Sequence, residues 1–312
     1  MKFALQRRLS IAGICAALVS ASVIALPAQA NAAPKTTNAS PVGWHVLDGS
    51  AGQIAVDSDG FVYAVDSYYN QINVYEPGVT NKADPVRIIS GGSTELAQPN
   101  GIALDSSGNI LVSNIATGTV VWFDHFADGD VSPIKMLNAF DYGTNAIALD
   151  ASDNLYAVNC SASIRVFGST ASDTDSPVRE ISAPDSIARS CGVAIGTDGR
   201  IWATEEDHGI FVFAADADGP STPLANLVDN GFMTYPGQLA IGANGWVYWA
   251  DSESQSILVF SQKAQGDAAP QYILQGSRTY FDSPYGVGVD RQGNVYVSDA
   301  LSGDILAFNN FT

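Results

Sequence analysis

The sequence predicts an all-β fold built from six copies of one four-stranded repeat. The stretch Pro99–Asn114 contains two short apolar runs on either side of an Asp-Ser-Ser-Gly turn. Apolar runs of strand length around such a turn are typical of a β-hairpin, because glycine readily adopts the positive φ that the turn needs. The hairpin recurs at spacings of 45 to 48 residues. Its copies open at Ile54, Ile102, Ile147, Val193, Leu239 and Val287.

The hairpin turn varies in the middle copies. Asp153 replaces the glycine of the third copy, and Gly196 and Gly242 replace the leading aspartate of the fourth and fifth copies. Aspartate tolerates the left-handed region better than most residues. We therefore expect the hairpin to be retained in all six copies.

Each copy continues with a third run that ends in an aromatic residue, and five copies add a fourth run that opens with proline. The third runs are Ile72–Tyr75, Val120–Phe123, Ile164–Phe167, Ile210–Phe213, Ile257–Phe260 and Ile305–Phe308. The fourth runs are Pro85–Ile89, Pro133–Leu137, Pro177–Ile181, Pro223–Leu227 and Pro270–Leu274. Proline lacks an N–H group, so it marks the edge of a sheet or the first residue of a strand. Four strands in each such period predict a six-bladed β-propeller with four-stranded antiparallel blades.

The two ends of the chain complement each other. The sixth copy stops at Phe311-Thr312, after its third run. The segment that begins at Pro41 opens with proline and ends in apolar residues, as the fourth runs do. We therefore predict that Trp44–Leu47 completes the last blade and closes the ring, which removes two free sheet edges.

The repeat pattern resembles that of the bacterial NHL-repeat β-propellers, in the form P-x-G-I-A-x-D-x-x-G-N-I-Y-V-x-D followed by I-x-V-F and P-x-x-x-I. The resemblance covers nearly the whole chain after its leader. The element Pro99-Asn100-Gly101 is also similar to gluconolactonase-like six-bladed hydrolases. That similarity implies that Asn100 helps to hold a divalent cation. Because one fold hosts many functions, the resemblance implies the architecture more strongly than the activity.

The first 30 residues have the pattern of a secretory signal peptide. Lys2, Arg7 and Arg8 precede an apolar stretch from Leu9 to Leu26, and Ala28-Gln29-Ala30 fits a cleavage site. The alternative is a transmembrane anchor. Residues 31–40 are small and polar and predict a disordered lead-in, and residues 41–312 form the propeller. We expect a protein that is secreted or held in the cell envelope, outside the membrane after signal cleavage.

The chain is strongly acidic, with 14 basic residues against 32 acidic residues and a formal net charge of −18. Nucleic acids and anionic lipids need a basic surface, so the charge argues against both as partners. It favours solubility, cations or cationic partners. We expect a monomer.

Two cysteines remain after the leader. Cys160 follows the second strand of blade three, and Cys191 precedes the first strand of blade four. Both positions open onto the same face of a propeller, on neighbouring blades, and an exported chain permits a disulfide. We predict that they form one, with two free thiols as the alternative.

The familiar catalytic signatures are missing from the sequence, including H-E-x-x-H, G-x-S-x-G, C-x-x-C and the P-loop. His45, His125 and His208 occupy unrelated repeat positions, which argues against a metal site built from histidines. Asp128-Gly129-Asp130 and Asp216–Gly219 resemble fragments of calcium loops, but both lack the remaining ligands, and we interpret them as ordinary turns.

A ring of carboxylates and amides is predicted at the ends of the second strands. Its members are Asp66, Asn114, Asn159, Glu205, Asp251 and Asp299, and the openings of the first strands add Asn100, Asn145 and Tyr285. Ca²⁺ accepts such oxygen ligands, so these residues are candidate metal ligands and Ca²⁺ is the candidate cofactor. The alternative is that each side chain caps the turn that follows its strand.

Aromatic residues gather in the loops of the same face. They are Tyr68, Tyr69, Tyr142, Phe232, Tyr235, Tyr280, Phe281 and Tyr285. Aromatic planes among acidic and amide groups can stack on sugars or hold a peptide. The alternative is that they pack between the blades as core.

Two functions from different classes remain open. The favoured hypothesis is a secreted binding or scaffold module that takes a glycan, peptide or protein on its loop-rich channel face. The alternative is a divalent-cation-dependent hydrolase or lactonase that uses Asn100, Asn145 and part of the acidic ring.

Overall fold

The computed structural model describes residues 33–47, 49–78, 82–161, 163–183, 190–205, 209–227, 236–266 and 268–312. These residues form six sheets and contain no helix. The first strands of consecutive sheets pack against one another, and the sixth sheet packs against the first. The fold is therefore a closed six-bladed β-propeller, which confirms the predicted architecture. The predicted signal peptide and His208 lie outside the described residues.

Each blade is an antiparallel sheet whose four strands follow one another from the channel outward. The strands of blades one to three are Ala51–Val56, Val62–Asp66, Gln71–Tyr75 and Arg87–Ser90; Pro99–Leu104, Ile110–Asn114, Thr119–Phe123 and Lys135–Asn138; and Ala146–Leu149, Leu155–Val158, Ser163–Phe167 and Arg179–Ser182. The strands of blades four to six are Ser190–Ile195, Ile201–Glu205, Gly209–Phe213 and Ala225–Leu227; Pro236–Ile241, Trp246–Asp251, Ser256–Ser261 and Tyr272–Gln275; and Pro284–Val289, Val295–Asp299, Asp304–Phe308 and Gly43–Val46.

In blades one, two, three and six, an aspartate at the start of the hairpin between the first two strands caps the turn. In blade two the Asp105 carboxylate accepts the N–H groups of Ser107 and Asn109, both at 2.9 Å. Gly108 then turns the chain with φ 83°. In blade three Asp153 occupies that position with φ 58°. This confirms that aspartate adopts the left-handed conformation where glycine is missing.

The hydrophobic core lies between consecutive blades. Tyr63 and Val74 of blade one pack in one buried cluster with Ile102 and Val112 of blade two. A corresponding cluster joins blade six to blade one, and it includes Leu47 from the N-terminal segment. Each blade therefore buries its two faces against its neighbours, and the stability of the ring depends on every blade being complete.

The N-terminal strand closes the ring. Gly43–Val46 pairs antiparallel with Asp304–Phe308, with Trp44 opposite Leu306 and His45 opposite Ile305. The last blade thus takes its outer strand from the N-terminus and its three inner strands from the C-terminus. This confirms the predicted closure.

The segment before each fourth strand also pairs, in parallel, with the outer strand of the preceding blade. Lys82–Ala83 joins blade six, Gly219–Pro220 joins blade three and Lys35–Thr37 joins blade five. Single bridges from Gly129, Asp173 and Gly266 do the same in the other blades. Every outer edge therefore receives a short fifth strand or bridge from the next blade.

This pairing corrects two expectations from the sequence. Residues 35–37, placed in a disordered lead-in, form a strand, because Lys35 is hydrogen-bonded to the blade-five edge through its N–H and the Gln271 carbonyl at 3.0 Å. Asp128-Gly129-Asp130, interpreted as an ordinary turn, holds the edge of blade one, since the Asp130 carboxylate accepts the N–H of Ser93 at 2.7 Å.

Candidate ligand-binding face

The candidate site lies on the face formed by the turns between second and third strands together with the connections from one blade to the next. We call it the connection face. Its described segments are the turns 67–70, 115–118, 252–255 and 300–303 and the connections 91–98, 139–145 and 276–283. Antiparallel strand order places these segments on one side of the ring and the hairpins on the other.

The predicted ring of oxygen ligands is directed into these turns. Asp66 accepts the N–H groups of Tyr68 and Tyr69 at 3.0 and 3.1 Å. Asp299 accepts those of Leu301 and Ser302, and its second oxygen accepts the N–H of Asp282 at 2.7 Å. These carboxylates therefore cap their own turns, and Asp299 also fastens the incoming connection.

The other predicted ligands of this ring have similar surroundings. Asn114 accepts the N–H of Ala97 at 2.9 Å and donates to the Glu95 carbonyl. Asp251 accepts the Ser254 hydroxyl at 2.6 Å, Glu205 is buried and Asn159 contacts the Ser161 hydroxyl. The described residues contain no group of three or more His, Cys, Asp or Glu side chains that could hold a metal ion. For Asp66, Asp251 and Asp299 the geometry corresponds to the turn-capping alternative. The Asn114 side chain instead holds the incoming connection, and a metal site on this ring stays a prediction.

At the mouth of the channel the Asn100 side chain reaches the backbone of Asn145, whose own side chain donates to the Cys191 carbonyl at 3.4 Å. The Asn100 amide donates to the Asn145 carbonyl at 2.8 Å and to the Tyr285 hydroxyl at 3.1 Å. Gln238 reaches the same hydroxyl at 3.4 Å. The openings of the first strands therefore form a polar group that links blades two, three, five and six.

Two members of this polar lining were missed in the sequence. Gln53 and Gln238 are both buried, and the Gln53 side chain accepts the N–H of Ile102 at 3.1 Å. In blades one and five a glycine stands where blade two has Asn100, and the glutamine follows one residue later. The Gly-Gln pairs Gly52-Gln53 and Gly237-Gln238 are thus the sequence signal that was overlooked.

The glycine of the Pro-Asn-Gly element has a structural role. The Gly101 N–H donates to the Ser113 hydroxyl at 2.8 Å, and a Cβ at Gly101 would lie 2.6 Å from that oxygen. Blade six repeats the arrangement with Gly286 and Ser298. The part of the motif that resembles the hydrolases is therefore accounted for by packing, except for the side chain of Asn100.

Tyrosine rings stand out from the connection face. Tyr68 and Tyr142 are both 73 % exposed, Tyr280 is 57 % exposed and Tyr69 is 52 % exposed. The rings of Tyr68 and Tyr69 meet edge to face at 4.9 Å. By contrast, Phe281 is buried and Tyr285 is half-buried, and Tyr235 lies outside the described residues. The core-packing alternative thus fits Phe281 but not the four exposed tyrosines.

A cavity of about 380 Å³ opens beside Tyr280, and we call it the Tyr280 cavity. It lies between the turn that joins the second and third strands of blade five and the connection from blade five to blade six. Its polar side chains are Ser254, Gln255, Gln275, Ser277 and Thr279. The Tyr280 ring also packs against Trp44, with ring centroids 5.5 Å apart.

The disulfide Cys160–Cys191 is present and joins blades three and four on the connection face. The flanking backbone pairs as well, since the Cys160 N–H donates to the Ser190 carbonyl at 3.0 Å. Closing a loop of this length stabilises the fold by about 3–4 kcal/mol in the chain-entropy model. The prediction from the two cysteines is confirmed.

Three tyrosines with a raised pKa lie on the hairpin side of the ring. Burial and the neighbouring Asp290 raise the pKa of Tyr296 to about 12. Burial likewise raises the pKa of Tyr63 and Tyr156. The Tyr156 hydroxyl accepts from Arg179 at 2.7 Å and donates to Asp150 at 3.5 Å. These shifts belong to networks that hold the hairpins, away from the exposed tyrosines.

Comparison with solved structures supports the fold. The WD40 β-propeller domain of Doa1 matches with a TM-score of 0.62 at 10% identity, covering 86% of this chain and 96% of that chain. A streptogramin B lyase matches at 0.58 and 16% identity, covering 89% and 95%. A chain of a mitotic checkpoint complex matches at 0.60 and 10% identity, covering 99% and 100%. At these identities the likeness shows the fold alone.

No protein-family model matches the sequence, and no curated protein sequence matches it. The resemblance to the NHL-repeat propellers therefore rests on the repeat pattern. In the part of the chain that the structure describes, no helix is long and apolar enough to cross a membrane.

Proposed function

We propose that this chain is a secreted binding module of the NHL type that takes a glycan, peptide or protein on its connection face. The observation that carries the proposal is the exposure of Tyr68, Tyr69, Tyr142 and Tyr280, each at least half open to solvent. Tyrosine combines a large apolar ring with a polar tip and is enriched at binding surfaces.

The packing of the turns supports this proposal. The buried Asp66 fixes the turn backbone beneath Tyr68 and Tyr69 through hydrogen bonds. Rings held by a rigid backbone lose little conformational entropy when they bind, which favours affinity. The solved propellers of similar fold include a WD40 domain and a chain of a multiprotein complex, and we extend that kind of role to this chain.

Secretion is part of the proposal. The leader of residues 1–30 has the pattern of a signal peptide. The disulfide Cys160–Cys191 is of the kind that persists in oxidising compartments. The binding module would therefore act outside the cytoplasm. The proposal includes that it does so as a monomer.

We expect replacement of the exposed tyrosines to weaken binding. The labelled mature protein, residues 31–312, is screened on a glycan array and a peptide library. A variant in which all four exposed tyrosines, Tyr68, Tyr69, Tyr142 and Tyr280, are replaced by serine should lower the affinity for any hit at least tenfold, since each buried ring contributes on the order of 1–2 kcal/mol. The measurement is the dissociation constant by isothermal titration calorimetry.

Phe126→Ser is the matched control for this screen. Phe126 is 77 % exposed and lies between the third and fourth strands of blade two, on the opposite face. This variant should bind like the wild type. The proposal fails if no probe binds, or if Phe126→Ser weakens binding as much as the tyrosine variant does.

A second candidate function is the cation-dependent hydrolase. It is favoured by the Asn100 side chain, which reaches the backbone carbonyl of Asn145 on the adjacent blade at 2.8 Å at the channel mouth. Against it, Asp66 and Asp299 are directed into turns.

We therefore expect 1 mM Ca²⁺ to leave the melting temperature of the metal-stripped protein unchanged. A site with a dissociation constant near 10 µM would instead add about 2.7 kcal/mol at that concentration, a shift that differential scanning calorimetry resolves. A rise in melting temperature that Asn100→Ala removes would support the hydrolase over the binding module.

A further inference from the structure

The Tyr280 cavity lies beside the turn of blade five, which carries a small residue where blade one carries a large one. Asp66 accepts the N–H groups of Tyr68 and Tyr69, and Asp251 accepts those of Glu253 and Ser254 in the same pattern. Ser254 therefore stands at the position of Tyr69. Its hydroxymethyl group leaves open the space that a tyrosine ring would occupy.

The opposite wall of the cavity is a tight turn that also occurs between blades one and two. The Thr279 hydroxyl donates to the Gly276 carbonyl at 2.8 Å, and the Thr94 hydroxyl donates to the Gly91 carbonyl at 2.8 Å. The next residue is left-handed in both turns, with φ 61° at Tyr280 and 57° at Glu95. The turn thus accepts a carboxylate side chain, so its geometry does not require the tyrosine ring.

An aromatic residue held in the left-handed conformation is uncommon and is most often retained for a reason other than the turn itself. At Tyr280 the ring is 57 % exposed and rests against Trp44 at 5.5 Å. That contact orients one tyrosine ring at the rim of the cavity. The ring is therefore available to stack on a ligand.

The cavity wall is polar but uncharged. Hydroxyl or amide groups come from Ser254, Gln255, Gln275, Ser277 and Thr279, and its lining includes no Asp, Glu, Lys or Arg. The Gln255 amide is fixed by donation to the Asp282 carbonyl at 3.0 Å. The side chains of Gln275 and Ser277 make no hydrogen bond within the described residues, so they are free to bind a ligand.

We propose that the Tyr280 cavity binds one or two units of a neutral oligosaccharide, an inference that rests on the proposed binding function and names its ligand class. A sugar ring offers an apolar C–H face to an aromatic plane and a rim of hydroxyls to neutral amides and hydroxyls. The volume of about 380 Å³ is at the small end of ligand sites, which suits so small a unit. A charged peptide side chain would find no counter-charge in the lining.

The test is binding of cellotetraose, maltotetraose and triacetylchitotriose to the mature protein, by saturation-transfer-difference NMR and calorimetry. We expect at least one of them to bind. Tyr280→Glu copies the residue of the equivalent turn, and Ser254→Tyr copies blade one and fills the cavity. Each variant should fold normally and weaken binding at least tenfold, while Phe126→Ser on the opposite face should not weaken it.

Two outcomes overturn the inference about the Tyr280 cavity without overturning the proposed binding function. If a saccharide binds but the Tyr280→Glu and Ser254→Tyr variants keep its affinity while Tyr68→Ser/Tyr142→Ser loses it, the connection face binds elsewhere. If none of the three saccharides binds while a peptide or protein does, the face has a different ligand class. In both cases the binding module stands and the saccharide cavity does not.

Discussion

Deletion of residues 33–47 is expected to prevent the protein from folding. The deletion removes the outer strand Gly43–Val46 of blade six and exposes the backbone edge of Asp304–Phe308. It also removes Leu47 from the core between blades six and one, where its side chain is 2 % exposed and worth about 2 kcal/mol. An open ring has two free edges, so we expect aggregation in place of a soluble product.

Two control proteins distinguish the loss of ring closure from the mere removal of N-terminal residues. A shorter deletion, 33–41, leaves the closing strand in place. It removes the fifth strand Lys35–Thr37, the packing of Ala39 and the acceptors for Arg278, of which the Asn38 side chain accepts its N–H at 2.9 Å. We expect that chain to fold with a melting temperature a few degrees lower. A circular permutant that begins at Gly49 and carries residues 33–47 after Thr312, through a Gly-rich linker, should recover the native fold. The measurements are soluble yield, circular dichroism and thermal melting.

The deletion of 33–47 would contradict this account if it gave a monomer with native circular dichroism and an unchanged melting temperature. A permutant that failed to fold would show that the strand needs its N-terminal position. Because folded domains have only about 5–15 kcal/mol of stability, the loss of one strand and its core contacts is comparable to the whole.

The blades could be predicted from the sequence because each one repeats the same local signals. Aspartate and glycine at the hairpins, aromatic ends of the third strands and prolines before the fourth strands reappear six times or nearly so. Asp105 and Asp153 show why the pattern survives variation, since the turn needs a capping oxygen and a left-handed residue, and more than one residue type supplies each. The incomplete sixth copy then indicated the closure by Gly43–Val46.

The site could be predicted less well because its roles depend on contacts between copies. An aspartate that follows a strand has the same sequence signature whether it caps a turn, as Asp66 does, or binds a metal. The fifth strand Lys35–Thr37 has no apolar pattern, since parallel backbone pairing at an edge places few demands on side chains. Tyr280 was singled out, but its significance emerges only beside Glu95 in the equivalent turn.

Comparison of the fourth strands of the six blades shows that His45, in the closing strand, differs from its equivalents. His45 lies in a fourth strand and is paired with Ile305 of the third strand. At the equivalent position of the fourth strand, blades one to five carry an aliphatic residue: Ile89, Leu137, Ile181, Leu227 and Leu274. His45 is 1 % exposed, its ring lies 4.5 Å from that of Tyr75, and its Nδ1 has no hydrogen-bond partner. Burial lowers the pKa of His45 to about 4.

Acidification is therefore expected to loosen the closing strand. Below pH 6.5 the histidine of the unfolded chain takes up a proton, whereas His45 of the folded chain stays neutral until about pH 4. Because the unfolded state binds more protons between these values, the free energy of unfolding decreases as the pH falls through that window. A shift of this size corresponds to about 3 kcal/mol at full titration.

His45→Leu is expected to remove this dependence, because leucine is the residue of blades two, four and five at the same position. Urea unfolding of the wild type and the variant at pH 7.5, 6, 5 and 4.5 measures the difference directly. Burial raises the pKa of Asp150 and Asp198, but their hydrogen bonds outweigh it and hold both values below 3.8, so these carboxylates titrate below the window. Parallel stability curves for the two proteins would show that His45 does not couple pH to ring closure. If the free energies of unfolding of the two proteins are similar at neutral pH and differ increasingly toward pH 4.5, the acid sensitivity lies in the N-terminal strand that closes the ring.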